Sequence, residues 1–117
     1  MAEKKPFAIV GRKVAASGTN DLLLEQVKDG YLWCAQHVGV SEATHNPATA
    51  QILLITPDET LVLYYYSGGA AGVVYHLHDP VFVAPRWRLA ARFSGSTAGD
   101  ELRMYVTGYV MRLSELE

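Results

Sequence analysis

Pro85-Arg86-Trp87-Arg88-Leu89-Ala90-Ala91-Arg92-Phe93, residues 85–93, sets Trp87, Leu89, Ala91 and Phe93 against Arg86, Arg88, Ala90 and Arg92. A turn-rich stretch follows, Ser94-Gly95-Ser96-Thr97-Ala98-Gly99-Asp100. A second alternating run then places Leu102, Met104, Val106 and Val110 opposite Arg103, Tyr105, Thr107 and Tyr109. Successive side chains on a strand point to opposite faces, so period-two alternation marks a strand with one buried face. Two such strands joined by a turn read as a hairpin whose apolar face must lie on another layer.

The rest of the chain repeats this cadence. Residues 7–15 carry Phe7, Ile9, Val10 and Val14, interrupted by Gly11, and read as a first strand or an extended arm. Residues 21–27 contain Leu22-Leu23-Leu24, and their short length between Thr19-Asn20 and Asp29-Gly30 favours strand over helix. Residues 31–40 are rich in aromatic and β-branched side chains. Ile52-Leu53-Leu54-Ile55, within residues 49–56, suits a strand buried on both faces. Pro57-Asp58-Glu59 turns the chain into residues 60–66, and short strands follow at 73–76 and 81–83. About eight strands without a convincing helix predict an all-β, antiparallel, jelly-roll-like β-sandwich. The whole chain, residues 1–117, reads as one domain, with residues 1–12 a candidate N-terminal arm reaching a neighbour through Phe7 and Ile9.

Composition narrows the function. Half the residues are apolar and 19% are charged, as in a globular domain. A net charge of −2 supplies no basic footprint for nucleic acid. No apolar run reaches the roughly 20 residues that span a bilayer, and no signal-peptide core is evident. Cys34 stands alone and reads as a small buried hydrophobe, so the expectation is a soluble protein of a reducing compartment, without internal disulfides.

The chemistry-bearing residues are sparse. His76-Leu77-His78 places two imidazoles on one strand face, as at the start of a cupin metal motif. Asp79-Pro80 breaks the pattern at once, and no histidine lies downstream; His37 and His45 would have to come from elsewhere in the fold. No Gly-x-Ser-x-Gly elbow and no phosphate loop are present. Asp58-Glu59 and Asp100-Glu101 read as solvated turn carboxylates. The expectation is therefore no enzyme, no cofactor and no metal. Tyr64 and Tyr66 share one strand face, as do Arg86, Arg88 and Arg92, while Tyr105 and Tyr109 lie opposite the apolar side of the last strand. Tyrosine and arginine are enriched at protein interfaces, which makes these residues candidate contacts.

The order of these elements resembles the small β-sandwich virion proteins of tailed bacteriophages over residues 13–112. The resemblance rests on Ser17-Gly18-Thr19, Val27-Lys28-Asp29-Gly30, Pro85-Arg86-Trp87-Arg88-Leu89, and Ala98-Gly99-Asp100-Glu101-Leu102 running on to Val106-Thr107-Gly108-Tyr109. Lys28-Asp29 replaces a usual Pro-Ala, and Arg86-Trp87 stands where the family pattern carries glycine. The resemblance implies a non-catalytic capsid decoration or cement subunit in the virion, assembled in the host cytoplasm. Its partners would be further copies of itself and the major capsid or other virion proteins, with no nucleic acid or membrane. Two other classes compete with it. One is a tail, collar or fibre module binding a receptor or glycan through Trp33, Trp87 and Tyr64 to Tyr66. The other is a cupin-like metal-dependent enzyme using His76 and His78.

Overall fold

The computed structural model describes residues 4–45, 47–67 and 72–115. Nine strands run in chain order: β1 (Lys5–Val14), β2 (Gly18–Leu23), β3 (Tyr31–Glu42), β4 (Thr49–Ile55), β5 (Thr60–Ser67), β6 (Val74–Leu77), β7 (Val81–Val83), β8 (Arg88–Ser96) and β9 (Glu101–Arg112), with a closing 3₁₀ turn at Leu113–Glu115. One antiparallel sheet has the order β1-β9-β3-β6, with β7 also paired to β3. The other has the order β2-β8-β4-β5. The chain crosses between layers at most connections, and among the described residues only β4 and β5 are successive strands paired within one sheet. This is the connectivity of a jelly roll, built from two interlocked Greek keys.

The alternation that decided the fold is borne out in its faces and corrected in its partner. β8 pairs with β2 and β4, whereas β9 pairs with β1 and β3. The two strands therefore form a corner between layers rather than a hairpin. Alternation identifies a buried face but not the sheet that owns it. A corner lets Leu89, Ala91 and Phe93 face Leu102, Met104 and Val106 across one core, where all six are fully buried. Ile52, Val38, Val40 and Val83 complete its centre. Each such side chain contributes about 1.5–3 kcal/mol on leaving water.

Three further expectations change. The candidate arm is strand where it is described: β1 pairs with β9 from Lys5↔Val110 to Val14↔Glu101, so residues 5–12 belong to the sandwich, and residues 1–3 of the expected arm lie outside the described residues. Gly11, which weakened the strand reading, faces the core, where an added Cβ would lie 2.8 Å from Leu24 Cδ2. The count is nine rather than about eight because one edge strand is broken at His78-Asp79-Pro80: β6 pairs with Val38 to Ser41 and β7 with Trp33 to Ala35. Cys34 is only partly buried, between Phe82 and Tyr109 on the outward face of its sheet. The reading of Ile52 to Ile55 holds: Ile52 and Leu54 join the core, while Leu53 is buried on the other face.

One glycine is required by the register. β3 bulges between Ala35 and His37 against β9, pressing its backbone onto Gly108, where a Cβ would sit 2.0 Å from the Cys34 carbonyl oxygen. No side chain fits there.

Candidate functional site

A strand at the edge of a sheet exposes unpaired N–H and C=O groups, and proteins ordinarily protect such edges with charge, proline or interruption. β1 carries Lys5, Pro6, Arg12 and Lys13; β2 is short and contains Asp21; β6 and β7 are split by Asp79-Pro80. β5 has no charge, proline or break; its one protecting device is a bulge at Leu63, opposite the Ile52–Leu53 step of β4. Its sequence, Thr-Leu-Val-Leu-Tyr-Tyr-Tyr-Ser, holds no charge and no proline, and among the described residues it pairs only with β4. Leu61, Val62, Tyr64 and Tyr65 are 38%, 55%, 42% and 55% exposed.

The outer face of the same sheet extends this patch. Cross-strand register aligns Leu23, Ala90, Leu53 and Val62 in one row across β2, β8, β4 and β5. Ala90 and Leu53 are buried yet outside the core cluster, and Leu23 and Val62 form the exposed ends of the row. The adjacent row is polar, Asp21, Arg92, Gln51 and Tyr65. Arg92 grips Asp21 through two hydrogen bonds of 2.8 and 3.1 Å, and its guanidinium holds the Asp21 carboxyl below the usual carboxylate range. The first row is therefore apolar at the surface only at its two ends, Leu23 on β2 and Val62 on β5, and the Asp21–Arg92 pair and Tyr65 lie beside it.

The structure disperses the residues singled out in the sequence. Tyr64 and Tyr66 do share a face and stack at 4.2 Å. Tyr66 then tilts against Tyr75 and donates its hydroxyl to the His76 carbonyl, so it clasps β5 to β6 across the mouth of the sandwich. Burial, then Tyr64, raises the Tyr66 hydroxyl pKa. Arg88 donates to the Leu24 carbonyl at 2.7 Å, and Arg92 is held by Asp21. Arg86 precedes β8 with a φ of 68° and pairs with Asp29 in solvent. Tyr105 and Tyr109 lie half-buried on the outer face of the opposite sheet, beside Val10 and Cys34 respectively in the ladders. Phe7 and Ile9 turn inward with Tyr31, Trp33 and Val110 to line a pocket of about 340 Å³, rimmed by Glu25, Gln26 and Lys28.

A different cluster lies at one end of the sandwich. Glu42 ends β3, His45 sits in the connection to β4, and Asp100 closes the turn before β9. Their ligand-capable atoms all lie within 4.8 Å of one another. Glu42 and Asp100 are each 1% exposed, whereas the His45 side chain is 58% exposed. His45 Nδ1 contacts Asp100 Oδ1, and the Thr97 amide donates to Asp100 Oδ2 at 2.8 Å. No hydrogen bond of ordinary geometry reaches either Glu42 oxygen from the described residues, and the polar groups beside them are the Asp100 carboxyl and the His45 backbone. Burial first, and then the Asp100 carboxyl beside it, pushes Glu42 up to about 7. Asp100 is held below the ordinary range, first by Glu42 and also by His45 and the Thr97 amide.

His76 and His78 have ring centroids 6.3 Å apart, and neither belongs to this cluster.

No protein-family model matches the chain, and no curated protein matches it. Solved structures do. A chain of the Bacillus endospore appendages, which form disulfide-linked pili, superposes with a TM-score of 0.51 at 12% identity, over 93% of this chain and 90% of that one. A chain from infectious bursal disease virus, Gx strain, gives 0.48 at 16% identity over 93% of this chain, which spans only 31% of the viral chain's length. A mutant of a family 29 carbohydrate-binding module gives 0.40 at 14% identity, over 94% and 80% of the two chains. The likeness to the appendage chain is one of fold.

The uncharged run of β5 was visible in the sequence, although its edge position was not. Glu42 left a signal too: it continues the inward phase of Val38 and Val40, where an acidic side chain is out of place. Asp100, expected as a solvated turn carboxylate, is instead buried as the cap of its own turn.

Proposed function

We propose that this chain is a non-enzymatic structural subunit of a tailed-phage type of virion, a capsid decoration or cement protein, that assembles through β5 and the exposed side chains on it. The observation that carries this reading is the uncharged edge: eight residues without charge or proline, interrupted only by a bulge at Leu63, four of them large exposed hydrophobics. Left in water, such an edge templates uncontrolled pairing. Covered by a second copy of the chain, it supplies backbone hydrogen bonds along the strand and apolar burial from Leu61, Val62, Tyr64 and Tyr65 on it. A stable contact needs about 800 Å² per partner. Repeated over a symmetric shell, weak contacts of this kind sum to firm attachment.

The mass of the purified full chain across a concentration series tests this. The wild type is expected to form a discrete oligomer, and Val62→Lys with Tyr65→Lys a folded monomer that no longer decorates particles. A wild type that is monomeric at every concentration and binds no virion protein sinks the proposal.

The pocket favours a second reading, a tail or fibre module binding a glycan. Its volume falls in the range of small-ligand sites, and an aromatic wall with a polar rim suits a sugar ring. Glycan-array binding that is lost on Trp33→Ala or Tyr31→Ala, with oligomerisation intact, would favour this reading over cement.

A further inference from the structure

We propose that Glu42, His45 and Asp100 form a divalent-cation site, best matched to zinc, which ties the β3–β4 connection to the β8–β9 turn. The inference stands apart from the assembly reading and rests on the far end of the sandwich. Two carboxyl groups share a buried space, and neither oxygen of Glu42 is reached by a hydrogen bond of ordinary geometry, while ligand-capable atoms of Asp100 and His45 lie within 4.8 Å. A pair of adjoining buried carboxyl groups is costly when both are ionised, and a bound cation would offset the charge of both.

The donor set selects the ion. Zinc accepts carboxylate oxygen and imidazole nitrogen at about 2.0–2.2 Å, and three protein ligands leave a fourth position for water. Atoms already within 4.8 Å of one another need only converge modestly to reach that geometry. Calcium and magnesium favour more ligands and an all-oxygen shell, so an imidazole and two carboxylates suit them poorly.

The surroundings orient the ligands. The Thr97 amide holds Asp100 Oδ2, which leaves Oδ1 directed at His45. Metal-binding carboxylates are characteristically fixed in this way by a second hydrogen bond. The backbone on either side is braced as well: the Ala43 amide donates to the Glu101 carbonyl at 3.0 Å, and the Glu101 amide to Thr44 Oγ1 at 3.2 Å. His45, exposed on one side, gives an ion its path from solvent. A bound ion would lock together a loop and a turn that otherwise meet through these few bonds.

The test uses tag-free full-length protein, stripped with a chelator and dialysed, then titrated calorimetrically with zinc chloride, with manganese and calcium chloride as separate arms. The expected result is one zinc per chain and a rise in Tm of about 5 °C or more at a hundredfold excess over Kd. Binding should fall at least about tenfold in Glu42→Gln and in His45→Ala. The second variant alters an exposed side chain, so folding survives and the loss can be assigned to the ion. Replacing His76 and His78 together by Ala should leave binding unchanged. No heat and no Tm change with any of the three ions would overturn the site. So would zinc binding that persists in both Glu42→Gln and His45→Ala, or that vanishes in the His76/His78 double variant.

Discussion

Replacing Glu42 by Gln keeps the shape of a buried side chain and removes its ionisation. The wild-type carboxyl has an ordinary value of 4.5 and is pushed up to about 7 in the fold. A carboxyl raised on folding favours the native state while it stays protonated. Its contribution is present below the unfolded value and is lost as pH rises from about 4.5 to 7, because the unfolded chain ionises first. The displacement of 2.5 pH units corresponds to about 3 kcal/mol. Asp100 works in the other direction: its lowered value stabilises the fold above the ordinary 3.8 and is lost only as pH falls below it, so the two windows separate. Urea unfolding in the presence of a chelator, at pH 5 and at pH 8, measures the difference. Between these values the wild type should lose about 2.5 kcal/mol more than Glu42→Gln does, and Glu42→Gln should be the more stable protein at pH 8. Equal pH slopes for the two proteins would refute the assignment of a strained, proton-holding Glu42.

Other perturbations test the scaffold. Arg86 occupies the left-handed region, which costs a non-glycine residue about 1–2 kcal/mol, and its exposed pair with Asp29 returns little. Arg86→Gly, offset by the greater entropy of the unfolded chain, should stabilise by roughly 0.5 kcal/mol in a urea midpoint, and a variant less stable than Arg86→Ala would contradict this. Phe93 is fully buried between the sheets, and Phe93→Ala should cost about 3–5 kcal/mol in the same assay; a loss below about 1 kcal/mol would place it outside the core.

The faces of the strands were legible and their neighbours were not. Alternation in residues 87–93 and 102–110 located the core side chains, because side-chain direction is a local property of the backbone. Whether those strands lie side by side or face to face depends on the long-range pairings of β8 with β4 and β9 with β3, which no local signal encodes. β1 was ambiguous for a similar reason: Gly11 looks like a weak point until Leu24 is placed against it. The glycine expected by resemblance at Arg86 points to a real conformational demand, since that residue adopts the positive φ that glycine would relieve. At the end cluster, Glu42 could be read from its phase with Val40. Asp100 and His45 could not, because a turn and a loop carry no period to show which side chains turn inward.

The central claim is that β5 is an assembled strand rather than a free edge. Amide hydrogen exchange along residues 60–67, measured on the full chain at assembling and at dilute concentrations, tests it most directly. The account predicts that the β5 amides not bonded to β4 exchange slowly in the assembly and rapidly on dilution, while β8 and β9 stay protected throughout. Rapid exchange of those β5 amides at every concentration, in a protein that has nonetheless assembled, would contradict it.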